Sequence, residues 1–234
     1  MNNNLLQIKI KQRLNKLSSL DYDNLECWQI AEAFNKAQIQ WASRQISGTN
    51  SKKEGSEQTL HNIDDLQRIL TSKKLTGQIN NPIYFETESL PSDYMDFKRI
   101  SVKAKNDTCP ERNMIVYLAA ESDVDVLLND SSSEPSFDWA ETFATIIGNK
   151  IRIYTSSKFQ IIDPMITYYR FPRKVEFLGC INLEDGSTIT ADVTCEFKDD
   201  VVELLIDDAA TILAGDIEAM QQYQRLAQSV EKNN

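Results

Sequence analysis

The chain has a single histidine, His61, and therefore one imidazole for any nucleophile–base pair. His61 stands among Gln58, Thr59 and Asn62, with no Ser or Cys in a strained turn beside it, and reads as a surface histidine near a helix start. Carboxylates are plentiful. The pairs Asp123/Asp125, Asp199/Asp200 and Asp207/Asp208 are of the type that holds a divalent cation. Adjacent acids on a helix point in different directions, however, and helix capping accounts for Asp199 and Asp200. The four cysteines, Cys27, Cys109, Cys180 and Cys195, are widely spaced and form no C-x-x-C pair, so no zinc set is visible. They read as structural thiols in a reducing or indifferent environment. Cys27 falls on an apolar helix face as a small hydrophobe, and Cys180 and Cys195 are candidates to face one another across neighbouring strands, a pairing that sequence does not assign as a disulfide. The seven glycines are scattered, so no loop has the clustered Gly that cradles a phosphate. We expect no catalytic, cofactor-binding or metal-binding residues.

Aromatic and basic residues interleave at two places. Phe137, Trp139 and Phe143 form one group; Tyr168, Tyr169 and Phe171 accompany Arg170, Arg173 and Lys174 in the other. Such mixtures stack on single-stranded nucleic acid, fill a sheet core with arginines on its wet side, or bury surface between proteins. The net charge of −10 argues against wholesale contact with nucleic acid, which needs a basic surface. The charge is also uneven. Residues 1–80 hold 11 Lys and Arg against 8 Asp and Glu, whereas residues 81–234 hold 14 against 27. Glu176 to Glu218 contains twelve acids and one base, Lys198. No apolar run approaches the roughly 18–20 residues of a membrane helix, and the polar N-terminus lacks the apolar core of a secretory signal.

The elements that must position these residues fall in three regions, residues 1–80, 81–198 and 199–234, packed as one domain. The first opens with an amphipathic helix whose stripe is Leu5, Ile8, Leu14 and Leu17, with Lys9, Lys11, Arg13 and Lys16 beside it. A long helix follows, capped at Asp23 with Glu26 reaching back, and carrying Cys27, Ile30, Phe34 and Trp41 at helical spacing. After Ile46 comes a polar crossing, Ser47 to Thr59, and then a return helix with Ile63, Leu66 and Leu70, completing an αα-hairpin. The middle region is β-rich. Candidate strands are Ile83–Phe85, Phe97–Lys103, Met114–Ala119, Phe159–Ile162 and Ile166–Phe171. Ala144 to Tyr154 is a hairpin whose Gly148-Asn149 suits a type II′ turn, and Asp185-Gly186 marks a further turn. From Asp199 or Asp200 a last helix carries Val202, Leu205, Ala209, Ile212 and Leu213, running to about Val230. The fold class is α+β: N-terminal helices with an αα-hairpin, a central, mostly antiparallel sheet and a C-terminal helix.

Two pieces of the chain, AEAFNKAQIQWASRQISGTNSKKEGSEQTLHNIDDLQRIL and PSFDWAETFATIIGNKIRIYT followed by MITYYRFPRKVEF, resemble a ring protein from the necks of crAss-like phages. Neither is a chemical motif, and together they cover roughly half of the chain. The resemblance implies a structural virion protein, not an enzyme, assembled in the host cytoplasm and located in the neck between portal and tail. It implies a homo-oligomeric ring of about twelve copies, stacked with the portal protein, other neck rings and tail components. DNA would pass the lumen without specific binding, and no membrane would be involved. The residues expected at interfaces are Lys9, Lys11, Arg13 and Arg44, reaching outward from the N-terminal helices, and Lys52, Lys53, Glu54 and Glu57, in the polar crossing at a ring seam. Trp139, Tyr169, Arg170 and Arg173 complete the set. The positive N-terminal part and the acidic remainder are expected to meet different partners. Two other readings remain open: a metal-dependent hydrolase using the Asp clusters, and a monomeric module binding peptide or nucleic acid.

Overall fold

The computed structural model describes residues 1–14, 25–47, 64–106, 109–183 and 185–216. The chain is α+β, as its periodicities predict, and divides into two compact units. One is Met1–Arg68 with Pro172–Asn234; the other is Ile69–Phe171. The boundaries expected at residues 80 and 198 therefore move. The sheet opens at Leu70, inside the region assigned to helices, and closes at Arg170, while residues 172–198 belong with the helices.

In the helical unit, α1 (Asn3–Leu14) and α2 (Cys27–Ser47) both pack on α4 (Asp199–Asp216). The sequence stripe assigned to α1 is corrected. Leu6, Ile10 and Leu14 are buried at intervals of four, whereas Leu5 and Ile8 face solvent. Both sets suit a helix, and the partner surface selects between them. In α2 the buried face is Ile30, Ala31, Ala33, Phe34, Ala37, Trp41 and Ala42. Small residues there, and Ala209, Ala210 and Ala214 on α4, let the two backbones approach closely. Trp41 meets Phe197 edge-on, with ring centres 5.0 Å apart. The start of α2 differs from the expected cap. Glu26 precedes the helix, and Gln29 Oε1 accepts from its backbone N–H at 3.0 Å, the reach-back half of a capping box three residues later than predicted. Asp23 and the polar crossing after Ser47 lie outside the described residues. The return helix does not extend to Leu70: residues 64–66 are helical, a turn follows, and Leu70 opens a strand.

Residues 172–198 wrap α2. Asn35 Oδ1 accepts from Val175 N–H at 2.7 Å, and Asn35 Nδ2 donates to the Val175 carbonyl at 3.1 Å. Residues 176–193 then form an irregular two-stranded finger, bridged at Glu176–Val193 and Ile181–Thr188. Its tip is the expected Asp185-Gly186 turn, with Gly186 at φ +71° and Asp185 Oδ1 accepting from Ser187 N–H at 2.9 Å. From α1, Asn3 Nδ2 donates to the Glu176 carbonyl at 2.9 Å and to Asp192 Oδ1 at 3.1 Å, tying the base of the finger to the first helix. The cysteines correct the sequence reading outright. Cys27 and Cys180 are joined in a disulfide across 153 positions, fixing the start of α2 to the finger. Cys195 is a free thiol that donates to Gln38 Oε1 at 3.4 Å and does not face Cys180.

The sheet unit holds β1 (Leu70–Lys74), β2 (Gly77–Asn81), β3 (Tyr84–Thr87), β4 (Tyr94–Asn106), β5 (Cys109–Leu118), β6 (Glu141–Ile147), β7 (Lys150–Tyr154), β8 (Gln160–Ile161) and β9 (Met165–Arg170). Strands run in the order β1-β9-β4-β5-β6-β7-β3-β2, with β8 also on β4. Every strand pair is antiparallel except β5–β6, whose connection carries the short helix α3 (Val124–Asn129). One sheet face buries Ile100, Val102, Met114, Val116, Ile151, Ile153, Ile166 and Tyr168. On a second, smaller cluster, Leu127 and Leu128 of α3 pack over Phe143 and Tyr154, whose rings stack 4.6 Å apart. The β6–β7 turn is as expected: Gly148 has φ +57° and Asn149 keeps φ negative, the type II′ combination.

Ion pairs Lys9–Glu203, Arg13–Asp207 and Arg13–Glu203 join α1 to α4, and Arg44–Asp208 joins α2 to it. Asp208 is buried, and burial holds its carboxyl above the usual carboxylate range, with the Arg44 guanidinium pulling the other way. The folded state therefore holds this proton more tightly than the unfolded chain. The stabilising contribution is complete below the ordinary aspartate value and is lost as pH rises through the folded value. Arg44→Ala leaves the carboxylate buried alone and is expected to lower the unfolding free energy by about 3 kcal/mol near pH 7. The loss should shrink in acid as Asp208 takes up a proton. Urea unfolding of both proteins at several pH values measures this. Reduction of Cys27–Cys180 is expected to lower stability by about 2–4 kcal/mol, read as a drop in melting temperature on adding dithiothreitol that Cys27→Ala abolishes.

Candidate functional site

The expected interface residues separate sharply. Lys9, Arg13 and Arg44 do not reach outward. Arg13 Nε lies 2.6 Å from Asp207 Oδ1, Lys9 holds Glu203, and Arg44 holds Asp208. The acidic residues expected to form a separate face are thus the partners of the N-terminal cations. Lys11 is half-buried on α1. Lys52, Lys53, Glu54 and Glu57 lie outside the described residues. Tyr169 is 6% exposed, with the Lys98 amine 5.8 Å above its ring. Arg170 Nη1 donates to the Phe171 carbonyl at 3.1 Å. Arg173 extends into solvent, its Nε 3.7 Å from Glu196. Trp139 alone of the candidate aromatics stands clear of the protein, 80% exposed.

Trp139 is held out by a built turn. Ser136 and Glu141 exchange both backbone hydrogen bonds, at 2.9 and 3.1 Å, and Ala140 N–H donates to the Phe137 carbonyl at 3.1 Å. Phe137 is buried, its ring 6.1 Å from that of Phe159. Arg112 Nη1 donates to the carbonyls of Phe137 at 3.1 Å and Asp138 at 2.9 Å, clamping the turn from β5. Ala140 closes it at φ +56°, a left-handed conformation that costs a non-glycine residue about 1 kcal/mol or more. The Ala140 carbonyl accepts from Ile115 N–H at 2.7 Å, which seats the turn beside a second exposed apolar residue, Ile115. Sequence reasoning found Trp139 but missed Arg112 and Ile115.

The helical unit carries a hollow of about 280 Å³ between α2 and the finger. Its apolar walls are Trp28, Ala31, Val175, Ile181, Leu183 and Ile189, with Glu32, Asn35 and Lys174 among its polar lining. A second hollow of about 240 Å³ adjoins it on the α4 side and shares Trp28 and Glu32. Trp28, expected in the core with Phe34 and Trp41, is instead a cavity wall, while Phe34 and Trp41 are buried. The finger leaves Leu178, Ile181 and Leu183 more than half exposed.

The carboxylate pairs take other partners. Asp199 accepts from the N-terminal amine of Met1, whose charge holds its carboxyl below the usual range; Asp207 and Asp208 take arginines; Asp123 accepts from Ser122. Among the described residues no three His, Cys, Asp or Glu side chains gather as a metal-holding group. Burial pushes the Cys195 thiol up to about 11. No described helix is long and apolar enough to cross a membrane. Compared with known proteins, the chain matches no family model and no curated sequence.

Loss of the Arg112 clamp tests how the turn is held. Arg112→Ala is expected to speed amide exchange at Ala140 and Glu141 about tenfold, the equivalent of one lost hydrogen bond of about 1.4 kcal/mol. Exchange in β7 and in β6 beyond Thr142 should be unchanged.

Proposed function

We propose that this protein is a structural, ring-forming component of a phage neck, joining portal to tail, and that it acts by assembly and not by catalysis. The observation that carries the reading is Trp139, a large aromatic 80% exposed on a turn that five hydrogen bonds and a buried Phe137 hold in place. Trp is the residue type most enriched among interface anchors, and a displayed, immobilised Trp loses little entropy on docking. The resemblance of the flanking piece PSFDWAETFATIIGNKIRIYT to a neck ring protein supplies the kind of assembly. Ring formation through heterologous contacts calls for two different patches on each copy, and Ile115 with Trp139 provides one of them.

The proposed ring would contain about twelve copies, with the portal and other neck proteins above and below it. The charge distribution enters differently than the sequence implies. Because the N-terminal cations are taken up by α4, ring polarity has to rest on shape and apolar contact more than on opposed charged flanks. Sedimentation and native mass measurement test the proposal, on the purified chain and on the chain mixed with its neighbours. A ring gives a mass many times 26.7 kDa, and the protein should be present in purified particles at a stoichiometry near that of the portal. A chain that remains a monomer in both settings and is missing from particles refutes it.

A further inference from the structure

The Trp139 turn and the α2–finger hollow are of complementary kinds, a rigid apolar knob and an apolar recess of side-chain size. We propose that the Trp139 side chain of one copy enters the hollow between α2 and the 176–193 finger of a different copy. This rests on the ring reading above and adds to it the two surfaces that meet. The hollow, about 280 Å³, is just below the roughly 300–1,000 Å³ of pockets that take whole small molecules, a space suited to one large side chain. Its wall of Trp28, Ala31, Val175 and Ile181 gives an indole ring the apolar surroundings it lacks in the isolated chain.

The areas are adequate on both sides. A standard interface buries about 800 Å² per partner, a little over half of it apolar, or roughly 450 Å². On the knob side, Trp139 contributes on the order of 150 Å² or more and Ile115 somewhat under 100 Å². On the recess side, Leu178, Ile181 and Leu183, each more than half exposed, contribute roughly 60–100 Å² apiece. Each surface thus supplies about half or more of the apolar core that a stable contact requires. Knob and recess are different surfaces, and in a ring the contact is heterologous: every copy keeps a free knob and a free recess until the ring closes.

Sedimentation velocity on the full chain tests this with Trp139→Ala and Ile181→Asp, both at exposed positions where the fold should survive, with thermal melts as the check. Each variant alone should weaken self-association at least 100-fold. Mixed one to one, the variants should form a heterodimer and nothing larger, because the first retains an intact recess and the second an intact Trp139. If the wild type assembles and neither variant changes it, the proposed contact is overturned while the ring reading stands. If Trp139→Ala dissociates the assembly but Ile181→Asp does not, Trp139 docks elsewhere and the contact is likewise overturned. A wild type that is monomeric at every concentration overturns the proposed contact, while the ring reading is then decided by the mixture with its neighbours and by the composition of the particles.

Discussion

The helical unit depends on one seam, the packing of α4 against α1 and α2. Its core is apolar: Leu6, Ile10 and Leu14 from one helix, Ala33, Ala37 and Trp41 from another, and Val202, Leu205, Ile206 and Ala209 from α4. At roughly 1.5–3 kcal/mol for each large side chain removed from water, this burial outweighs the ion pairs along its margin. Exposed pairs such as Lys9–Glu203 contribute about 0–1 kcal/mol each. What the charges add is register and partner choice. A helix with Asp199, Glu203 and Asp207 along one side and Asp208 on the next meets the Met1 amine, Lys9 and Arg13 at the first helix and Arg44 at the second. The wrong helix, or the right one shifted by a turn, would leave Asp208 buried without a cation.

The same seam explains why charge asymmetry along the sequence misleads. Residues 1–80 are net positive and Glu176 to Glu218 intensely acidic, which reads as two surfaces for two partners. In the fold, the two stretches neutralise one another across separations of more than 160 residues. Charge runs report a surface only when the chain does not fold them together, and that is a long-range property.

What was legible in the sequence was local. The Gly148-Asn149 turn, the β-branched runs around it, the α2 face through Phe34 and Trp41 and the Asp185-Gly186 tip are each set within a dozen residues, and each is in place. The failures share a different origin. Leu70–Lys74, LTSKK, has little β pattern and becomes a strand because β9 offers it a register. On α1, Leu5/Ile8 and Leu6/Ile10 are equally good stripes until a partner chooses. Cys27 finds Cys180 across 153 positions, which no local pattern encodes. The candidate site divides the same way. Trp139 is visible as an aromatic; its exposure depends on Arg112, 25 residues upstream of Phe137, and on a left-handed Ala140 that sequence statistics would assign to glycine.

The sheet constrains how such a protein can associate. The main path of the sheet ends at two edge strands, β1 and β2, and each is blunted in a recognisable way. At β1, Lys73 and Lys74 place amines along the outer strand, that of Lys74 paired with Asp163; at β2, five residues are interrupted by an irregularity between Gln78 and Asn81. Both devices discourage further strands from adding to the ladder. Lateral growth by backbone pairing is therefore disfavoured, and association of this unit has to use side chains displayed from its faces and turns. Among those, Trp139 combines the largest apolar surface with the firmest backbone support, which is the physical reason for placing the contact there and not at a strand edge.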